Sequence, residues 1–161
     1  MNIAYLLIGG NLGDREQNLA LAVARILKAA GGQLLARSAL YETAAWGNTD
    51  QPAFLNQALQ ISTRYTAATL LKKMLAAEQE LGRVRAEKFG PRVIDIDIIF
   101  FNDQVIHTKN LTVPHPYMQE RRFVLTPLQE IAPDLIHPVL QKTVTELLEI
   151  CPDDLAVTKY S

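Results

Sequence analysis

Phe89-Gly90-Pro91-Arg92-Val93-Ile94-Asp95-Ile96-Asp97-Ile98 is the stretch on which the reading of this chain turns. Side chains two apart on a strand share a face, so Asp95 and Asp97 project together while Ile94, Ile96 and Ile98 face the other way. Two neighbouring carboxylates repel each other and are costly to desolvate unless a positive group lies between them. Hard, oxygen-seeking cations such as Mg²⁺ meet that need, and Mg²⁺ commonly arrives with phosphates. Alternation alone also allows a plain wet strand face.

The residues just upstream weigh on that choice. Arg83, Arg85, Lys88 and Arg92 crowd one loop of a chain whose formal net charge is -1. Such a charge argues against broad nucleic-acid binding, which needs a basic surface, but leaves room for a small anionic substrate held by a local basic cluster. Mg²⁺, phosphates and surrounding arginines are the recurring equipment of phosphoryl transfer.

Outward from this segment, Ile3 to Ile8 reads as a buried strand and Gly9-Gly10-Asn11-Leu12-Gly13 as a tight turn. Asp14 caps a helix with Gln17 in capping-box position, and Gly31-Gly32 stops it. Leu34 to Glu42 and Phe54 to Thr63 alternate as strands, with Leu55, Leu59 and Ile61 on one face. The Trp46 loop between them, Thr43 to Ala53, is too long for a tight hairpin, and loops of this length are commonly functional. Thr66 opens a second helix that Gly82 ends. After the aspartate strand, Asn102-Asp103-Gln104 turns the chain into a short strand at Val105 to His107. Helical segments follow near Tyr117 to Arg121 and Leu125 to Ile131, and Thr143 with Glu146 makes a capping box for a last helix.

The order strand, helix, strand, strand, helix, strand is the βαββαβ core of a ferredoxin-like α+β fold, an antiparallel sheet with helices, here carrying a C-terminal extension. In that sheet the aspartate strand is expected to be central and its carboxylates buried. The 161 residues, 48% hydrophobic and 20% charged, make one domain, 1–161, the economical reading. The lone Cys151 gives no sign of an oxidising compartment, and packing suits it better than reactivity. No basic leader or apolar run of about 20 residues is present, so the expected location is cytoplasmic.

The block Lys88 to Ile99 resembles the signature of the 6-hydroxymethyl-7,8-dihydropterin pyrophosphokinase family, folate-pathway enzymes that transfer diphosphate from ATP to a pterin alcohol. Tyr41-Glu42-Thr43 through Gly47, then Asp50-Gln51-Pro52-Ala53-Phe54-Leu55-Asn56, resembles the family's pterin-binding loop and strand. Glu78 with Leu81-Gly82-Arg83-Val84-Arg85 resembles the end of its second helix. Leu111-Thr112-Val113-Pro114-His115 and Arg121-Arg122-Phe123-Val124-Leu125 resemble its later block.

The resemblance implies roles residue by residue. Asp95 and Asp97 hold two Mg²⁺ ions on ATP, and Arg83 and Arg92 join them as the catalytic set by offsetting phosphate charge. Glu78, Arg85, Ile98, Thr112, His115 and Arg121 are implied as further ATP contacts. Phe54 and Phe123 sandwich the pterin, while Asn56 and the Thr43 region read its polar edge. The implied partners are ATP and a reduced pterin, without nucleic acid or membrane, and the chain is expected to be monomeric. Departures from the common pattern are Ala44-Ala45 in place of a proline, Phe89 in place of tryptophan, and Tyr117 where a basic residue is frequent. A ferredoxin-like RNA-binding module would need exposed sheet aromatics and excess positive charge, and this chain has neither. A regulatory ligand-binding domain would leave the Asp95/Asp97 pair beside Arg92 without a reason.

Overall fold

The computed structural model describes residues 1–44, 50–82 and 93–160. Its main sheet carries β1 (Asn2–Gly10), β2 (Leu34–Arg37), β3 (Tyr41–Thr43), β4 (Phe54–Thr63), β5 (Asp95–Phe101) and β8 (Val157–Lys159). The order is β5-β1-β4-β3-β8, with β2 also pairing β4, and every pairing is antiparallel. A separate hairpin pairs β6 (Ile106–His107) with β7 (Thr112–Val113).

Two apolar layers enclose the sheet. Helices α1 (Arg15–Ala30) and α2 (Ala67–Glu80) pack on one face, where Leu6, Ile8, Leu59, Ile61, Ile26 and Met74 are buried. Helices α3 (Arg122–Ile131) and α4 (Val144–Glu149) cover the other, burying Leu7, Ala58, Phe100, Leu125 and Leu147. The helix starts follow local chemistry. Asp14 accepts from the Gln17 amide, Thr66 accepts from the Thr69 amide, and Thr143 and Glu146 form the reciprocal capping box. Gly31 ends α1 in the left-handed region at φ 63°, where a residue without Cβ pays no steric cost.

Four expectations are corrected. Leu34 to Glu42 is two strands, because Ser38 turns aside: its hydroxyl accepts from the Ala58 amide while its carbonyl accepts from the Gln57 side chain. Gly9 and Gly10 belong to β1, Gly9 paired with both β4 and β5 and Gly10 with β4, so the turn begins only at Asn11. The short helix near Tyr117 is a single 3-10 turn, Met118–Glu120, and α3 starts at Arg122 rather than Leu125. The aspartate strand β5 lies at the sheet edge, paired with β1 alone among the described strands.

Strand β5 also carries an irregularity. Tyr5 stands opposite Phe100 while Leu6 stands opposite Ile98, which leaves Ile99 as an extra residue. The bulge resets the alternation. Ile96 and Ile98 pack under α1 and α2, whereas Ile99 and Phe100 both enter the α3–α4 layer.

Candidate active site

Strand register brings the site together. Gly9 stands opposite Asp95 on one side and Asn56 on the other, and Asn56 in turn faces Tyr41. Leu7 likewise joins Asp97 to Ala58. Directly paired residues share a face, so both aspartates and Asn56 project on the α3–α4 side, with Asp95 and Asn56 about 10 Å apart across two strand spacings. Gly9 puts no side chain of its own between them. A Cβ there would overlap the Asn56 amide oxygen.

Thr43 and Phe54 stand opposite each other two pairs further along. Thr43 is only 3% exposed, and its hydroxyl has no hydrogen-bond partner among the described residues. A buried hydroxyl in that condition costs free energy unless a bound group satisfies it.

A cavity of about 530 Å³ opens along the outer edge of β5, between α2 and the β6–β7 hairpin, and Asp95, Asp97, Ile98, Thr112 and His115 all line it. Asp95 is half-buried and Asp97 exposed, so the expected deep burial of this pair does not occur. The edge position puts both residues in the wall of this cleft. Glu78, only 4% exposed, also lines it, and its carboxylate accepts from the Ile96 amide at 2.6 Å. That bond closes part of the unpaired edge of β5 between the two aspartates.

His115 is tied to the same strand, its amide donating to the Ile99 carbonyl at 3.0 Å. Burial first, and the positive Arg121 second, lower its pKa to about 4, so the ring is neutral at pH 7. Nδ1 accepts from the Tyr117 amide at 3.3 Å, which leaves Nε2 to carry the proton and act as a donor. Arg121 sits with its guanidinium 5.2 Å from the Tyr117 ring centroid and 5.9 Å from that of Phe123. Burial pulls its pKa down, and Asp97 is the leading group that opposes this by favouring the charged form. Arg121 therefore links Asp97 electrostatically to Phe123.

Arg83, Arg85, Lys88, Phe89, Arg92 and Trp46 lie outside the described residues. Two further residues enter that the sequence does not single out. Asn11 donates to the Gln51 side chain and the Pro52 carbonyl, each at 2.9 Å. Arg15 donates to Glu42 at 2.7 Å and to the Ala53 carbonyl at 3.0 Å. Their signal in sequence is faint: Asn11 follows a glycine in a turn that reads as punctuation, and Arg15 is the first residue of α1.

The scan of family models matches residues 5–133 to 7,8-dihydro-6-hydroxymethylpterin-pyrophosphokinase (HPPK). This chain belongs to the HPPK family. A Methylorubrum extorquens protein named 2-amino-4-hydroxy-6-hydroxymethyldihydropteridine pyrophosphokinase is 46% identical over 148 residues, 92% of each chain. The Bacillus subtilis protein of the same name is 47% identical over 130 residues, covering 81% of this chain and 78% of that one. Among solved structures, a Plasmodium falciparum HPPK-DHPS protein aligns over 92% of this chain with TM-score 0.75 at 17% identity. That likeness speaks to the fold, and this chain spans 45% of that longer one. HPPK membership agrees with the mixed helix and antiparallel sheet described above.

Proposed function

We propose that the chain transfers diphosphate from ATP to the hydroxymethyl group of 6-hydroxymethyl-7,8-dihydropterin, giving AMP and the pterin diphosphate, with β5 as the nucleotide side and β3–β4 as the pterin side. The observation that carries this reading is the pair of registers Asp95–Gly9–Asn56 and Asp97–Leu7–Ala58, which together set two carboxylates and a buried amide on one sheet face with a glycine between Asp95 and Asn56. The β5-β1-β4-β3 order, with β2 and β3 both pairing β4, supports reading the sheet as a ferredoxin-like βαββαβ core.

Asp95 and Asp97 suit Mg²⁺ by their chemistry. They offer oxygen donors on one face at an open cleft, and Mg²⁺ is typically held by one or two carboxylates together with substrate phosphates. Among the described residues no group of three or more His, Cys, Asp or Glu gathers, so an all-protein cage is not what these residues build. Two Mg²⁺ ions bound there would neutralise phosphate charge and make the pterin alcohol more acidic.

The chain's own residues then bind and orient. Asn56 and Thr43 meet the polar edge of the pterin, and Phe54 and Phe123 take its faces. His115 Nε2, Arg121, and the edges of Ile98 and Thr112 hold the nucleotide, with Glu78 keeping β5 in place beneath it. Arg83, Arg85 and Arg92 balance the phosphates. The pterin oxygen attacks the β-phosphorus in line. The new oxygen–phosphorus bond forms as the bond to the bridging oxygen of the α-phosphate breaks. AMP leaves with that electron pair, and the hydroxyl proton passes to solvent. The same reading takes the chain as a cytoplasmic monomer that needs neither nucleic acid nor membrane.

A turnover assay with ATP and the reduced pterin alcohol tests it. AMP and pterin diphosphate are the expected products; ADP would overturn the assignment.

A further inference from the structure

The C-terminal segment 151–160 lies beyond the residues matched to the family model, and most of it is not regular structure. Yet its burial alternates: Cys151, Asp153, Leu155 and Val157 are half-buried while Pro152, Asp154, Ala156 and Thr158 are exposed. Period-two burial marks an extended strap laid along a surface.

Each end of the strap grips an element that carries a pterin-side residue. At α3, Asp153 Oδ2 accepts from the Arg122 amide at 3.0 Å and the Asp153 carbonyl accepts from Arg122 Nε at 2.9 Å. The first of these satisfies an amide that the helix start leaves open, immediately before Phe123. The other oxygen, Oδ1, accepts from the Leu155 amide at 3.0 Å, so the carboxylate is fixed within the strap as well. Asp153 also favours the charged form of Arg121. At the far end, β8 adds to the edge of β3 with Val157 opposite Thr43, and the Tyr160 amide donates to the Leu40 carbonyl at 2.8 Å. The Tyr160 ring lies 5.5 Å from the guanidinium carbon of Arg15, which itself bonds Glu42 and the Ala53 carbonyl. Glu42 precedes Thr43 and Ala53 precedes Phe54.

We propose that residues 151–160 set the spacing between the two walls of the pterin site, with Asp153 as the positioning residue for Phe123 and Tyr160, through Arg15, as the positioning residue for Thr43 and Phe54. Neither residue touches substrate in this account. The proposal rests on the functional reading above.

The test is steady-state AMP release with pterin and ATP varied separately, alongside thermal unfolding, for Asp153→Ala, Asp153→Asn, Tyr160→Leu and a buried α1 control, Val23→Ala. Positioning predicts that Asp153→Ala and Tyr160→Leu raise the pterin KM by about tenfold. Asp153→Asn, which keeps an acceptor for the Arg122 amide, recovers most of that loss. Val23→Ala lowers the unfolding temperature with the pterin KM unchanged. If Asp153→Ala fails to fold, Tyr160→Leu and Asp153→Asn decide. Pterin KM values no higher in the strap variants than in Val23→Ala, in a wild type that releases AMP, would overturn the strap alone. A wild type that releases no AMP would overturn the functional reading and the strap's role with it.

Discussion

Gly9 and Asn56 stand opposite each other on β1 and β4, and the space a Cβ would take at Gly9 is filled by the Asn56 amide. Here the missing side chain serves close approach rather than a turn. Gly9→Ala is expected to push Asn56 off its position, costing about 1–3 kcal/mol of stability by overpacking and weakening pterin binding more than nucleotide binding. Calorimetric titration with each ligand and urea unfolding measure the two effects.

Asp95 and Asp97 are set in register by β1 and line an open cleft, so the fold does not depend on their charge being buried. Asp97→Ala and Asp95→Ala are each expected to lower AMP release by at least about 100-fold, roughly 2.7 kcal/mol of barrier, with the far-ultraviolet dichroism unchanged. Near-normal turnover of either variant at saturating Mg²⁺ would contradict the metal role.

Glu78 closes the edge of β5 through the Ile96 amide. Glu78→Ala leaves that amide without its partner and is expected to cost about 1–3 kcal/mol, with ATP affinity falling because Ile96 lies between the two aspartates. Glu78→Gln retains an acceptor and should sit between wild type and alanine in both unfolding midpoint and ATP affinity.

Acid stability should depend on histidines held neutral. Burial lowers His115 to about 4 and also lowers His137, whose Nδ1 accepts from the Val139 and Leu140 amides. In the unfolded chain both titrate near 6.5, so below that pH the unfolded state binds more protons than the folded one. The His115 contribution is complete above about pH 6.5 and is lost as pH falls toward about 4, and His137 acts in the same direction below about pH 6.5. The urea midpoint should decline across that window, and His115→Asn should flatten the decline. A His115→Asn slope equal to that of wild type would count against the neutral, buried ring.

What could be read in advance was local. Asp14, Thr66 and Thr143 announce their helices because each cap bonds an amide three residues away, within the reach of a sequence window. The face shared by Asp95 and Asp97 was legible for the same reason. Ser38 was not, since what turns it out of the strand is Ala58, 20 residues on. The edge position of β5 depends on pairing order, which periodicity does not carry, and the expected burial of the aspartates failed with it. The strap is not legible in sequence because Asp153 and Tyr160 find their partners 31 residues back at Arg122 and far back at Arg15 and Leu40. The half-buried Cys151, packed against the α3–α4 layer, does behave as a packing residue.

The surplus residue Ile99 interrupts the ladder with β1, and its carbonyl is the group that receives His115. A flawless ladder would have offered the incoming chain a uniform edge with no marked docking point. The extra residue acts as a notch: it tells the segment after the Val113–Pro114 bond where along β5 to stop, one turn of the pleat beyond Asp97. Removing Ile99 would therefore leave a more regular sheet and a histidine without its docking point, so regularity of the strand and placement of His115 are opposed at this position.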